Sequence, residues 1–151
     1  MKPKVLISLF AFLILLVMAV SFLISPSYEK SIKAKYYFET GEYTEAYSLA
    51  KEAFGLDVYN RMAATIMAQS KTSLRYVNFN KNAKKYMADI DEIAAHEDIS
   101  ESDKAKIRLI CEIMNGLYVK LAPSVVTDKE LVKQSAEYNS KFKKLLEKVT
   151  R

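Results

Sequence analysis

The stretch YYFETGEYTEAYSLAKEAFGLD, Tyr36 to Asp57, places small and apolar residues at helical intervals on both sides of Gly41. Gly41 interrupts the pattern, and buried-type residues recur after it at steps of three and four: Ala46, Leu49, Ala50, Ala53 and Phe54. Glycine adopts a left-handed backbone conformation at little cost, so this glycine favours a tight turn. The stretch therefore predicts two helices joined as a hairpin.

The same positions resemble the second half of a tetratricopeptide repeat, a pattern of about 34 residues that forms two antiparallel helices. The matching residues are Tyr37, Phe38, Gly41, Tyr43, Ala46, Ala53, Leu56 and Asp57, with Ala34 at the small position of the first helix. The resemblance implies one good repeat, Ser27 to Asn60, and one degenerate repeat that ends near Ala95.

The degenerate repeat departs from the family pattern at three positions. Lys71, Arg75 and Asn80 stand where an aromatic residue, a glycine and an alanine are expected, while Ala68 keeps the small position. The last two helices show no repeat signature. Because a lone repeat cannot bury both of its faces, these helices or a second copy of the chain are expected to close the stack.

The resemblance also implies protein recognition, because the first helices of such hairpins line a groove that receives a partner. The positions that would face this groove are Tyr28, Ser31, Lys35, Phe38, Glu39, Met62, Thr65 and Gln69. Some members of the family hold a partner's terminal carboxylate with a lysine and an asparagine. Ser31 and Lys35 occupy the corresponding positions here, so that clamp is not reproduced.

The N-terminus carries a long apolar run. Val5 to Ile24 are twenty positions without a charge, enough for a helix of roughly 30 Å. Lys2 and Lys4 precede the run, which favours a cytoplasmic N-terminus. We therefore expect residues 1–25 to be a single-pass transmembrane signal anchor of a bacterial inner membrane, and residues 26–151 to form an extracytoplasmic domain.

A cleaved signal peptide is the alternative for this segment. The run is longer than the usual hydrophobic core of about 7 to 15 residues. The best cleavage candidate, at residues 19–21, leaves apolar Leu23 and Ile24 on the product. An uncleaved anchor is the preferred interpretation.

The remainder of the chain predicts an all-α fold. Strand patterns are missing, and SESD at 100–103 and TDKE at 127–130 have the form of capping boxes. Pro123 ends the helix before it. Six helices are predicted after the anchor: Ser27 to Thr40, Tyr43 to Leu56, Tyr59 to Lys71, Leu74 to Ala95, Glu101 to Leu121 and Asp128 to Lys148.

The sequence offers little catalytic chemistry. His96 is the single histidine, and phosphate loops and paired-cysteine metal motifs are missing, so we expect no enzyme activity, no cofactor and no metal. Asp89 and Glu92 share a helix face with His96, but a solvated acidic helix end is the preferred interpretation. Cys111 lies among apolar neighbours and is predicted to be a buried hydrophobe.

Segment 76–86 and the positive net charge are features typical of ligand-binding proteins, but a structural role is the preferred interpretation of each. The aromatic and basic residues of 76–86 fall on different helix faces, which favours a core role over nucleic acid or glycan. The net charge is +5, and Lys2 and Lys4 contribute two of these charges, so the domain surface is ordinary and no nucleic-acid partner is expected.

These observations together predict a membrane-anchored scaffold that binds a protein partner through a repeat-like helical domain. Two alternatives stay open. The first is a self-assembling envelope protein in which a second copy completes the stack. The second is a periplasmic or secreted helical binding protein released by signal-peptide cleavage.

Overall fold

The computed structural model describes residues 3–96 and 98–150, and all regular structure in these ranges is helical, which confirms the all-α prediction. The helices are α1 (Pro3–Ile24), α2 (Pro26–Glu39), α3 (Tyr43–Leu56), α4 (Arg61–Ala94), α5 (Glu101–Val119) and α6 (Lys129–Thr150). The chain divides into two compact units, Met1–Ser70 and Lys71–Arg151. Lys2, one of the two lysines on which the predicted membrane orientation depends, lies outside the described residues.

Helix α1 presents apolar side chains on all sides. Every side chain from Ile7 to Ser21 is exposed. Among the described residues, no single helix has the length and hydropathy of a bilayer span, but Ile7–Ser21 and Pro26–Glu39, bent by 64°, meet both criteria when taken as a pair. The helix ends before Pro26 because proline disfavours helical geometry in the preceding residue, and Ser25 is extended.

Helices α2 and α3 form the predicted hairpin, and both ends of the turn agree with the sequence to within one residue. Gly41 has φ of 85°, as its left-handed role requires. Its amide donates to Phe38 O at 3.2 Å, and the amide of Glu42 donates to Tyr37 O at 2.8 Å. This pair of bonds is the Schellman arrangement, which satisfies carbonyls that the end of α2 leaves free.

Small residues let the helices of the first unit approach closely. Ala34 of α2, Ala46 and Ala50 of α3 and Ile66 of α4 form one buried cluster, with Tyr37, Phe38, Leu49, Met62 and Met67 packed against it. The side chains of Ala34, Ala46 and Ala53 are fully buried, as predicted.

A buried polar cluster joins the ends of three helices in this unit, and we call it the Asn60 clasp: Ser27, Ser31 and Asn60. Asn60 Nδ2 donates to Ser27 Oγ at 2.8 Å and to Ser31 Oγ at 2.9 Å. Asn60 Oδ1 accepts from the Ala63 amide at 3.1 Å, which caps α4. Ser27 Oγ donates to Ala53 O at 2.8 Å, near the end of α3.

The predicted break between Lys71 and Leu74 is wrong, because α4 is one helix of 34 residues. No glycine or proline occurs in that interval, and the serine and threonine there do not break a helix by themselves. The second helical hairpin of the repeat is therefore not formed. Ala68, expected at a packed small position, is exposed, because α4 continues where a turn would have brought a covering helix.

The second unit is built from residues 71–94 of α4 together with α5 and α6. Its buried core contains Phe79, Ala83, Ile90, Ile93, Ile107, Cys111, Met114 and Phe142. These positions follow the apolar spacing of the sequence, and Phe142 and Met114 are fully buried. The ring of Phe79 contacts that of Tyr118, with centroids 5.8 Å apart.

The two predicted capping boxes have different outcomes. Ser100 Oγ accepts from the Asp103 amide at 3.1 Å, and the carboxylate of Asp103 accepts from the Ser100 amide at 3.2 Å, so the first box is confirmed. At the second, Thr127 Oγ1 accepts from the Ser124 amide in the preceding turn. Asp128 Oδ1 accepts from the Glu130 amide instead, since the helix begins at Lys129.

Asn80, one of the departures from the repeat pattern, ties α4 to α6. Its Nδ2 donates to Gln134 Oε1 at 3.0 Å and to Leu131 O at 3.2 Å. Its Oδ1 accepts from Ser135 Oγ at 2.6 Å. A buried asparagine with these partners needs α6 beside it, which explains why alanine does not occupy this position.

Candidate partner-binding surface

The predicted groove residues lie on α2 and on the beginning of α4, within the first unit. Lys35, Glu39 and Thr65 are exposed. Four others are half-buried: Tyr28, Phe38, Met62 and Gln69. These seven residues are called the α2–α4 surface below.

Ser31 departs from this set. It is fully buried, donates to Ser27 O at 2.9 Å and accepts from Asn60 Nδ2. A hydroxyl committed to the Asn60 clasp has no open face for a partner. Its position in the repeat pattern placed it in the groove, but the asparagine that precedes α4 draws it inward, and it is excluded from the α2–α4 surface.

The apolar members of the surface also support the fold. Phe38 stacks edge-on against Tyr43, with ring centroids 5.5 Å apart, and both Phe38 and Met62 pack against the alanine-rich cluster. Their accessible portions are therefore held by packing on one side. Side chains held in this way are suited to act as anchors in an interface, because little entropy is lost on contact.

Exposed charges flank these anchors. Lys35 Nζ lies 3.7 Å from Glu39 Oε1, one helical turn away. Glu29 and Lys33 pair at 2.7 Å elsewhere on α2; this bond lowers the pKa of Glu29 and raises that of Lys33. Such exposed pairs contribute little to stability but restrict which charges a partner can present.

The acidic residues that share a helix face with His96, the one group in the sequence that resembles a cation site, lie in the second unit. Asp89, Glu92 and His96 line an open depression of about 530 Å³, as the spacing predicts, but Lys85 and Lys106 line it too. His96 Nδ1 is 3.2 Å from Ile93 O. Within residues 3–96 and 98–150, no group of three or more histidine, cysteine or acidic side chains is arranged to hold a metal ion.

A second depression, of about 420 Å³, was missed by sequence reasoning. Its lining residues are Arg75, Asn78, Phe79, Asn82, Leu117, Lys120 and Leu121. The spacing of three and then four from Arg75 to Asn82 places three polar residues on one face of α4. The sequence analysis of segment 76–86 favours a core role over nucleic acid or glycan, and it does not include Arg75.

Cys111 is a free thiol, fully buried, as predicted. Burial, with a smaller effect of nearby Glu112, raises its pKa to about 11. A thiol that stays protonated at neutral pH is a poor nucleophile and a poor metal ligand. The geometry therefore gives Cys111 a packing role.

No family model, curated protein or solved structure matches the chain.

Proposed function

We propose that this chain is a membrane-anchored helical scaffold whose α2–α4 surface binds a protein partner outside the cytoplasm. The observation that carries the proposal is α1. Phe10, Phe12 and Met18 point in different directions, since successive residues of a helix are about 100° apart, yet they are 65%, 65% and 64% exposed. An apolar helix exposed on all sides is compatible with lipid and unfavourable in water.

The direction of insertion follows from the flanking charges. Lys2 and Lys4 precede the apolar run. Lysines in a short flank tend to stay in the cytoplasm, which would place the residues after Pro26 on the outer face.

The anchor is tested by washing membranes with alkaline carbonate. We expect the native chain to stay in the membrane pellet and a Leu13→Arg/Val17→Arg variant to be released, because each arginine near a span centre costs about 2.5–3.5 kcal/mol. Leu109→Arg, at an exposed position of α5 in the second unit, is the matched control and should stay in the pellet. Release of the native chain by carbonate would reject the anchor. Sequencing the N-terminus separates an uncleaved anchor from a processed signal peptide.

The partner surface is tested by capture of native envelope proteins with the tagged full chain. Phe38 and Met62 support the core, so the sharper substitution is Thr65→Arg, which adds bulk and charge at an exposed position. Thr44→Arg, at an exposed position of α3 outside the surface, is its control. We expect Thr65→Arg to lose a partner that the native chain and Thr44→Arg both retain. Equal recovery with the two variants would place the interface elsewhere.

Self-assembly is the second candidate, and one observation favours it. Leu109, Ile113 and Leu117 recur every four residues on α5 and are 57%, 48% and 39% exposed. A stripe of this kind can pair with another copy. Sedimentation of the full chain in detergent at micromolar concentration distinguishes the two: a monomer supports the adaptor, and a dimer lost on Ile113→Glu supports self-assembly.

A further inference from the structure

We propose that the depression lined by Arg75 and Lys120 in the second unit binds a small organic anion that carries a short apolar tail. We call it the Arg75 pocket; its volume is about 420 Å³. This is within the usual range for small-molecule sites, which combine an apolar lining with a few polar groups. The proposal does not depend on the α2–α4 surface, which belongs to the first unit.

The sign of the ligand's charge follows from the lining. Arg75 and Lys120 are exposed cations, and no carboxylate is among the lining residues. Within the part of the chain that the structure describes, neither cation forms an ion pair. The depression around His96 instead mixes acidic residues with lysines. The Arg75 pocket is thus a concave site whose charge selects anions.

The lining also supplies hydrogen-bonding groups and an apolar surface. Asn78 and Asn82 lie one turn apart on α4, and both are exposed. Their amides can donate to ligand oxygens beside a guanidinium that binds carboxylates in a fork geometry. Phe79, Leu117 and Leu121 form the apolar part. A carboxylate with a short alkyl chain satisfies both parts, whereas inorganic phosphate leaves the apolar part unused.

A tryptophan reporter tests this in the full chain, since the sequence contains no tryptophan. Leu117→Trp places the reporter in the lining, and Leu109→Trp, two turns earlier on α5, is its control outside the pocket. The protein is held in nanodiscs of zwitterionic lipid and titrated with hexanoate. We expect a saturable change in fluorescence for Leu117→Trp, no change for Leu109→Trp, and no response of either reporter to hexanol.

Charge variants in the Leu117→Trp background identify the cations responsible. An Arg75→Gln/Lys120→Gln double variant should need about tenfold more hexanoate for the same response. Each exposed ion pair raises affinity by up to about fivefold, and about threefold for each of the two pairs gives this factor. Lys81→Gln/Lys84→Gln, two exposed lysines of α4 outside the lining, is the matched control and should leave the response unchanged. In the unmodified chain, hexanoate should raise the melting temperature, which excludes an effect of the reporter itself.

The anion can come from solution or from a lipid headgroup, and the same reporter separates these sources. A response to hexanoate in zwitterionic discs supports a dissolved carboxylate. A response that appears only in discs containing phosphatidylglycerol, and that the Arg75→Gln/Lys120→Gln variant loses, supports a lipid headgroup. No response in either disc, an equal response to hexanol, or full retention by the charge variant would overturn the proposal.

Discussion

Replacement of Asn60 by alanine should destabilise the first unit by about 3 kcal/mol. The substitution removes the cap on α4, which contributes about 1 kcal/mol. It also removes two buried bonds, from Asn60 Nδ2 to the hydroxyls of Ser27 and Ser31, and each neutral hydrogen bond contributes about 1 kcal/mol. Both serines keep their own donor bonds, so no larger penalty from orphaned donors is added.

Hydrogen exchange in the full chain measures this effect locally. Amides of residues 61–66, at the start of α4, should exchange about a hundredfold faster in Asn60→Ala, since 1.4 kcal/mol corresponds to a factor of ten. Asn82→Ala, at an exposed position of the same helix, should change exchange by less than a factor of three, in keeping with surface substitutions of about 0.5 kcal/mol or less.

A double-mutant cycle with Ser27→Ala checks the mechanism. Because Asn60 and Ser27 share a bond, the double variant should lose about 1 kcal/mol less stability than the sum of the two single losses. Full additivity, or a loss below about 1 kcal/mol for Asn60→Ala alone, would show that the clasp does not hold the three helix ends together.

Three further predictions concern stability and reactivity. Gly41→Ala should lower the free energy of unfolding by about 1 kcal/mol, because a φ of 85° strains any side chain. Gly55→Ala, inside α3 with open space around it, should raise it by about 0.5–1 kcal/mol. Urea unfolding measures both changes. Phe142→Ala should lower the free energy of unfolding by about 3–5 kcal/mol. Val119→Ala, at an 83% exposed position, is the control and should lower it by less than about 0.5 kcal/mol. A similarly small loss for Phe142→Ala would contradict the core assignment. Cys111, with its pKa raised to about 11, should resist iodoacetamide at pH 8 until the chain unfolds. The folded-state pKa lies above the unfolded one of about 8.5, so the stabilisation from the neutral thiol is complete below that value and is lost as pH rises towards 11. Between the two pKa values, the free energy of unfolding should therefore fall more steeply with pH in the native chain than in Cys111→Ala.

Local backbone chemistry was predictable where a residue type has one dominant effect. Gly41 located the hairpin turn, Pro26 the break between α1 and α2, and Ser100 with Asp103 the start of α5. These signals act within a few residues. The second predicted box failed because several side chains near Thr127 compete for the same amides, and tertiary position decides among them.

Long-range contacts were less predictable. The break in α4 was inferred from a 34-residue repeat period, but no residue near Lys71 breaks a helix, so the helix continues. Asn60 and Asn80 are both buried by partners 29–33 and 51–55 positions away, and no local sequence pattern predicts those contacts. Ser31 changed from a groove position to an interior one for the same reason.

The Asn60 clasp also determines how the chain would carry mechanical tension. Ser27 and Asn60 are 33 positions apart and directly bonded, so residues 28–59 form a loop closed by side chains. Part of a pull on α1 would pass from Ser27 across to Asn60 and into α4, and the load on the α2–α3 hairpin would be smaller until the clasp broke. If α1 sits in a moving membrane, the part of the α2–α4 surface that α2 contributes would keep its shape under strain that would otherwise unwind it.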